Sequence, residues 1–316
     1  MSRVPIIIGS ERSEAGLAAG ARLLSHGASS LDAVEAALRL CEDNLDDHFI
    51  GTGGLPNARG EVELDASLMV GSTRAFAAVG AIKGYGNPIS VARAVLENLS
   101  QHCLLVGEGA ELFAEEHGFE RTELLTDAAR ELFFAALAPS KQSVEGENTP
   151  ALPGDDLYRT SALELVRRLA PHGGPWGTVN VLALDEAGEM VVGVSTSGYP
   201  WKYPGRVGDS AIAGAGNYCD LRYGGAACTG RGELSMRVLG ARSVVDHLAN
   251  DEDPTEACQA MLREAATLPD AFRSEMRTLC LTPDGRHGAA AGQRGATYNV
   301  IRCDEGELEV FPRALV

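Results

Sequence analysis

The chain has 316 residues, 45% of them hydrophobic, 22% charged and 5% aromatic, a balance that supports a packed core and excludes disorder of the whole chain. Forty-four acidic residues against 27 basic ones leave a formal charge of −17, which repels phosphate backbones and anionic lipid and points to a small-molecule substrate, with no nucleic acid and no membrane as partner. No run approaches the ~20 apolar residues of a membrane span, and the start, MSRVPIIIGS, has neither a long apolar core nor a small-residue cleavage site, so a cytoplasmic address is expected.

Val4 to Ile8 is a short apolar run before Gly9-Ser10 and predicts a buried strand. Glu14 to His26 then has helical spacing rich in Ala and Leu, and Ser30-Leu31-Asp32 opens a second helix with Ala33, Val34, Ala37, Leu38 and Cys41 on one face. Gly51 to Pro56 reads as a loop, Glu61 to Met69 and Ala75 to Ile82 as neighbouring strands, and Ser90 to Gln101 and Gly109 to His117 as helices. Residues 139–156 hold almost nothing that could be buried and predict a flexible linker. Leu157 to Leu169 is helical again. Thr178 to Leu184 and Met190 to Ser195 flank a turn at Glu186-Ala187-Gly188, a hairpin whose first residue is Thr178. Helical pattern returns over Gly232 to Leu248 and Pro254 to Leu268, and strands follow near Arg277 to Leu281, Ala296 to Cys303 and Leu308 to Phe311. Strands and helices come in runs, which favours an α+β chain of layered sheets in a single domain over 1–316 rather than a barrel of alternating units.

The seven cysteines are scattered, with no CxxC and no histidines at metal spacing, and read as reduced and mostly buried. Gly51-Thr52-Gly53-Gly54 lacks the Lys-Ser/Thr of a phosphate loop, and Asp46-Asp47-His48 and Asp251-Glu252-Asp253 read as solvated acidic surface. No metal and no cofactor is expected.

The informative stretch runs from Trp176 to Glu233: Gly177-Thr178-Val179-Asn180, Ser195-Thr196-Ser197-Gly198, Gly205-Arg206-Val207-Gly208-Asp209-Ser210, Gly214-Ala215-Gly216 and Thr229-Gly230-Arg231-Gly232-Glu233. Each cluster alone has an ordinary reading as a turn, a strand or a solvated ion pair. Together they resemble the glycosylasparaginase and plant-type asparaginase (isoaspartyl peptidase) family of N-terminal nucleophile hydrolases. Ser30 to Glu35, Gly51 to Pro56 and Leu64-Asp65-Ala66 extend the likeness upstream.

The resemblance implies a four-layer αββα sandwich, self-cleavage between Gly177 and Thr178 into 1–177 and 178–316, and a homodimer of cleaved pairs. It also assigns roles. Thr178 is the nucleophile and Thr196 its hydrogen-bond partner. Thr229 and the Gly230 amide hold the oxyanion, Arg206 and Asp209 grip the substrate's α-carboxylate and α-ammonium, and Gly232 gives the ligand room. The chemistry is self-consistent: a freed threonine α-amine, with a reference pKa of about 7.7 to 8.0, is a base on the nucleophile's own residue. Gly177, without a Cβ, tolerates the strained backbone that attack on its carbonyl demands.

The implied reaction is hydrolysis of the side-chain amide of an N4-substituted asparagine. Alternatives are an isoaspartyl dipeptidase with L-asparaginase activity, and an uncleaved, silent aspartate-binding member. The chain departs from the family pattern at Trp176, where His often stands two residues before the threonine, at Asn180, where glycine is common, and at Ser10-Glu11-Arg12, where glycosylasparaginases carry Thr-Trp. The aromatic run Tyr199 to Tyr203 either stacks on a sugar or plugs the core.

Overall fold

Three short apolar strands, each buried on both faces, set the frame of the computed structural model, which describes residues 4–137, 159–169, 177–272 and 275–316. The 139–156 linker, His172 and Trp176 lie outside the described residues. In chain order the elements are β1 (Ile6–Ser10), α1 (Glu14–Ser25), α2 (Ser30–Glu42), β2 (Leu64–Val70), β3 (Phe76–Ile82), α3 (Pro88–Asn98), β4 (Leu104–Val106), α4 (Glu108–Glu116), α5 (Asp127–Leu137) and α6 (Ala162–Leu169). There follow β5 (Val179–Leu184), β6 (Met190–Thr196), β7 (Asn217–Asp220), β8 (Gly224–Gly230), α7 (Gly232–Val238), α8 (Gly240–Leu248), α9 (Pro254–Ala266), β9 (Met276–Leu281), β10 (His287–Ala291), β11 (Thr297–Arg302), β12 (Leu308–Pro312) and β13 (Ala314–Leu315).

Among the described residues the strands form two sheets, ordered β12-β11-β1-β5-β6-β2-β3-β4 and β13-β10-β9-β8-β7. β5 and β6 pair antiparallel with Val179 opposite Ser195, so the predicted hairpin lies at the centre of the larger sheet. Alternation along a strand then decides which side chains share a face. Val179, Val181, Ala183 and Val191 pack with Val34, Leu38 and Ile89 of α2 and α3. Leu182, Leu184, Val192 and Val194 pack instead against Ala227, Leu279 and Leu281 of the smaller sheet. Thr178, Asn180 and Thr196 share the parity of the second group, and so face the smaller sheet. On that sheet Cys228, Cys280 and Ala290 pack with Val244, Val245, Cys258 and Met261 of α8 and α9.

The helix starts follow local chemistry. Ser29 accepts from the Asp32 amide ahead of α2, and Asp253 accepts from the Thr255 and Glu256 amides ahead of α9, whose first residue is proline. The single helix expected over Gly232 to Leu248 is two: Leu239, at φ 49°, breaks it, and Gly240 passes where a Cβ would lie 2.7 Å from Ser235 Oγ. Sequence reading missed α5, β4, β7, β8, β10 and β13. Its elements elsewhere start or stop a few residues from those observed. Cys41, Cys219, Cys228, Cys258 and Cys280 are buried, Cys303 is half-buried, Cys103 is exposed, and all are free thiols. Among the described residues no helix is long and apolar enough to cross a membrane.

Candidate active site

Thr178 immediately precedes β5, half-buried at the end of the strand. Its hydroxyl donates to Thr196 Oγ1 at 3.3 Å, and the Thr196 hydroxyl donates in turn to the Gly177 carbonyl oxygen at 2.9 Å. The Gly198 amide donates to Thr196 Oγ1 at 2.9 Å, which fixes the rotamer of a side chain that is 3% exposed. A hydrogen-bonded line therefore runs from the Thr178 hydroxyl through Thr196 to the carbonyl of the preceding residue. Ser10, at the end of β1, donates its hydroxyl to the Thr178 carbonyl at 3.2 Å and accepts from the Asn180 amide at 3.0 Å.

Gly177 is glycine for a reason of space. A Cβ there would lie 2.2 Å from Phe49 Cβ, and Phe49 itself lies under the Arg12 guanidinium, 4.4 Å from its ring centroid.

Thr229 comes from β8, opposite Arg277 of β9. Its hydroxyl accepts from Asn180 Nδ2 at 2.6 Å and lies 3.5 Å from the Thr178 carbonyl oxygen. Gly230 follows at φ 109°, where a Cβ would sit 2.2 Å from the Glu275 carbonyl oxygen, so only glycine lets the β8 backbone turn here.

Arg206 and Asp209 stand on the loop after β6. Buried acids at the start of β2 hold that loop: Glu63 accepts from the Gly205 amide at 2.9 Å and Asp65 from the Gly208 amide at 3.0 Å. Lys202, 3% exposed, donates to the Glu63 carbonyl at 3.0 Å, and burial pulls its pKa down against the attraction of Asp65 and Glu63. Arg206 is already engaged. Its Nε and Nη2 donate to Glu233 Oε1 at 3.1 and 2.9 Å, while Nη1 lies beside Gly198 and Gly208. On Glu233 burial works to raise the pKa, but Arg206 and Arg231 outweigh it and hold the carboxyl below its usual range. Asp209 is the opposite case: burial pushes its carboxyl up to about 6 despite Arg206. Its Oδ2 has no hydrogen-bond partner among the described residues.

Gly177, Thr178, Thr196, Arg206, Asp209 and Gly230 line one cavity, with Gly198, Tyr199, Gly208 and Ser210. Of the remaining site residues read from sequence, Thr229 joins it through Thr178 and Asn180. Gly232 lies against Asp209 and Arg206. A Cβ there would meet Asp209 Oδ1 at 2.7 Å and Arg206 Nη2 at 3.1 Å, so its missing side chain makes room for those two residues. Among the aromatics, Tyr199 borders the cavity and burial raises its hydroxyl to about 12. Trp201 plugs the core beside Phe133, ring centroids 5.4 Å apart, and Tyr203 is exposed. Sequence reading assigned no role to Ser10, Phe49 or Glu233. Thr-Gly-Arg-Gly-Glu displays Glu233, but nothing in the string pairs it with an arginine 27 residues away. Among the described residues no group of three or more metal-ligating side chains converges.

A family model described as asparaginase matches residues 10–304. The chain is 36% identical over 278 residues to the N(4)-(beta-N-acetylglucosaminyl)-L-asparaginase of Mus musculus, an alignment covering 85% of this chain and 79% of that one. It is 32% identical over 284 residues to the Elizabethkingia miricola protein of the same name, covering 88% and 76%. It is also 34% identical over 246 residues to the isoaspartyl peptidase/L-asparaginase of Mus musculus, covering 77% and 67%.

Proposed function

The chain belongs to the asparaginase family and is an amidohydrolase of asparagine derivatives, and on that premise we propose that it cleaves the side-chain amide of an N4-substituted asparagine through Thr178, after cutting its own chain at Gly177-Thr178. The observation that carries the reading is the line from the Thr178 hydroxyl through Thr196 to the Gly177 carbonyl.

In self-cleavage the Thr178 oxygen bonds to the Gly177 carbonyl carbon. Its proton passes to Thr196 while Thr196 gives its own to the carbonyl oxygen. Collapse of the tetrahedral carbon breaks the C–N bond, the proton on its hydroxyl passes to the leaving nitrogen as the carbonyl re-forms, and an ester remains. Water hydrolyses that ester, leaving fragments 1–177 and 178–316 and a free α-amine on Thr178.

Turnover repeats the attack on substrate. The amine takes the Thr178 proton as the oxygen bonds to the substrate's side-chain carbonyl carbon, and hands it to the leaving nitrogen. The Thr229 hydroxyl and the Gly230 amide face the developing oxyanion, a type of contact worth about 3 to 4 kcal/mol per donor. Arg206 holds the α-carboxylate with the donors that Glu233 leaves free, and Asp209 accepts from the α-ammonium. Water, deprotonated by the same amine, then releases aspartate from the acyl-enzyme.

The stacking of α1 to α3, the two sheets, and α8 and α9 supports the four-layer αββα sandwich of N-terminal nucleophile hydrolases, and a dimer of cleaved pairs goes with that reading. The 34% identity to an isoaspartyl peptidase/L-asparaginase favours a second substrate, a β-aspartyl dipeptide. Comparing kcat/KM on N-acetylglucosaminyl-asparagine, a β-aspartyl dipeptide and asparagine tests both. Hydrolysis of none of the three would contradict the reading.

A further inference from the structure

Asn180 shares a strand face with Thr178 and is fully buried. Its Nδ2 donates to Thr229 Oγ1 at 2.6 Å and to the Cys228 carbonyl at 3.2 Å. A carbonyl only accepts, so the amide cannot be turned the other way without setting oxygen against oxygen. Its Oδ1 is left buried with no hydrogen-bond partner among the described residues. Such an orphan acceptor is unfavourable in a folded interior, so folding alone does not account for an asparagine here.

The consequence falls on Thr229. A hydroxyl has one proton; because Thr229 Oγ1 accepts the short bond from Asn180, that proton must point elsewhere. The acceptor nearest to hand is the Thr178 carbonyl at 3.5 Å, a bond long enough to be given up readily.

We infer that Asn180 is a positioning residue that orients the Thr229 hydroxyl, so that its proton faces the oxyanion of the substrate rather than the strand behind it. The inference rests on Thr229 being an oxyanion donor, as in the functional reading above. An acceptor in place of Asn180 Nδ2 would draw the Thr229 proton to itself, and an oxyanion would then face a lone pair.

The test uses the cleaved enzyme, its fragments verified by mass, with a chromogenic β-aspartyl anilide as substrate. Asn180→Asp keeps the side-chain shape while replacing the donor, so a general packing defect is not mistaken for lost orientation. Its kcat is expected to fall about 10- to 100-fold with KM within about twofold of wild type, because Arg206 and Asp209 are untouched. Combined with Thr229→Val, it is expected to cost nothing beyond the Thr229→Val loss, since both changes remove the same donor. Fully additive losses, a loss confined to KM, or a kcat for Asn180→Asp within about twofold of wild type would each overturn the inference. A wild-type enzyme inactive on every asparagine derivative would instead strike at the functional reading beneath it.

Discussion

Thr196 donates its hydroxyl to the carbonyl oxygen of Gly177 at 2.9 Å. That bond ties the central hairpin to the peptide proposed for cleavage, and it polarises the carbonyl carbon that Thr178 must reach. Replacing Thr196 by Val keeps the shape and removes the donor. Self-cleavage is expected to slow by about 10²- to 10³-fold, the cost of one oxyanion contact, measured as the half-time for appearance of two bands on a denaturing gel. Cleavage at the wild-type rate would show that the bond is incidental.

Gly177 has no room for a side chain, because a Cβ would sit 2.2 Å from Phe49 Cβ. Gly177→Ala must displace either the peptide or Phe49, and is expected to slow self-cleavage by about tenfold or more, since misplacing reacting atoms by about an ångström carries costs of this size. Any molecules that do cleave should turn over substrate normally per Thr178 end group, because Gly177 then lies at the end of the first fragment.

Asp209 titrates where its function is exposed to pH. Burial holds its carboxyl at about 6, and only the ionised form attracts an α-ammonium. Affinity for L-aspartate, measured by calorimetry on the cleaved enzyme, should weaken as pH falls through about 6, and Asp209→Asn should lack that step. The Thr178 amine, with a reference value of about 7.7 to 8.0, titrates too high to produce it.

Glu42 places a second carboxyl in an unusual state. It is fully buried at the end of α2, and burial raises it from 4.5 to about 8 although the Ser195 hydroxyl donates to Oε1 at 2.6 Å. A raised folded-state pKa means that the native protein holds the proton more tightly than the unfolded chain. The associated stability is full below 4.5 and is lost as pH rises to about 8. The melting temperature of Glu42→Gln should therefore gain on wild type across that window, by the equivalent of a few kcal/mol at most, about 1.4 kcal/mol for each pH unit. Asp209 acts with the same sign between 3.8 and about 6 in both proteins and cancels in the comparison.

The parts legible in sequence were those with local signals. Two β-rich runs on either side of the Glu186-Ala187-Gly188 turn located β5 and β6, whereas the face that Thr178 and Thr196 share emerged only with the sheet pairing. Glycine-flanked clusters flagged Arg206, Asp209 and Gly230, all of which line the cavity. β8 escaped because Gly-Gly-Ala-Ala-Cys-Thr-Gly has almost none of the branched residues that mark a strand; it is one because β7 and β9 pair on either side, and small residues let it lie close to Val192 and Met190. The Asn180–Thr229 bond joins residues 49 apart, and the Arg206–Glu233 pair residues 27 apart. Such partners come together only through sheet pairing and packing, which no local pattern encodes.

The most direct test of the account is the intact mass and end-group sequence of purified, active protein. Two chains are expected, 1–177 and 178–316, the second beginning Thr-Val-Asn-Val, together with a Thr178→Ala protein that stays whole and inactive. Full activity from an unbroken chain, or a second chain beginning at any other residue, would contradict it.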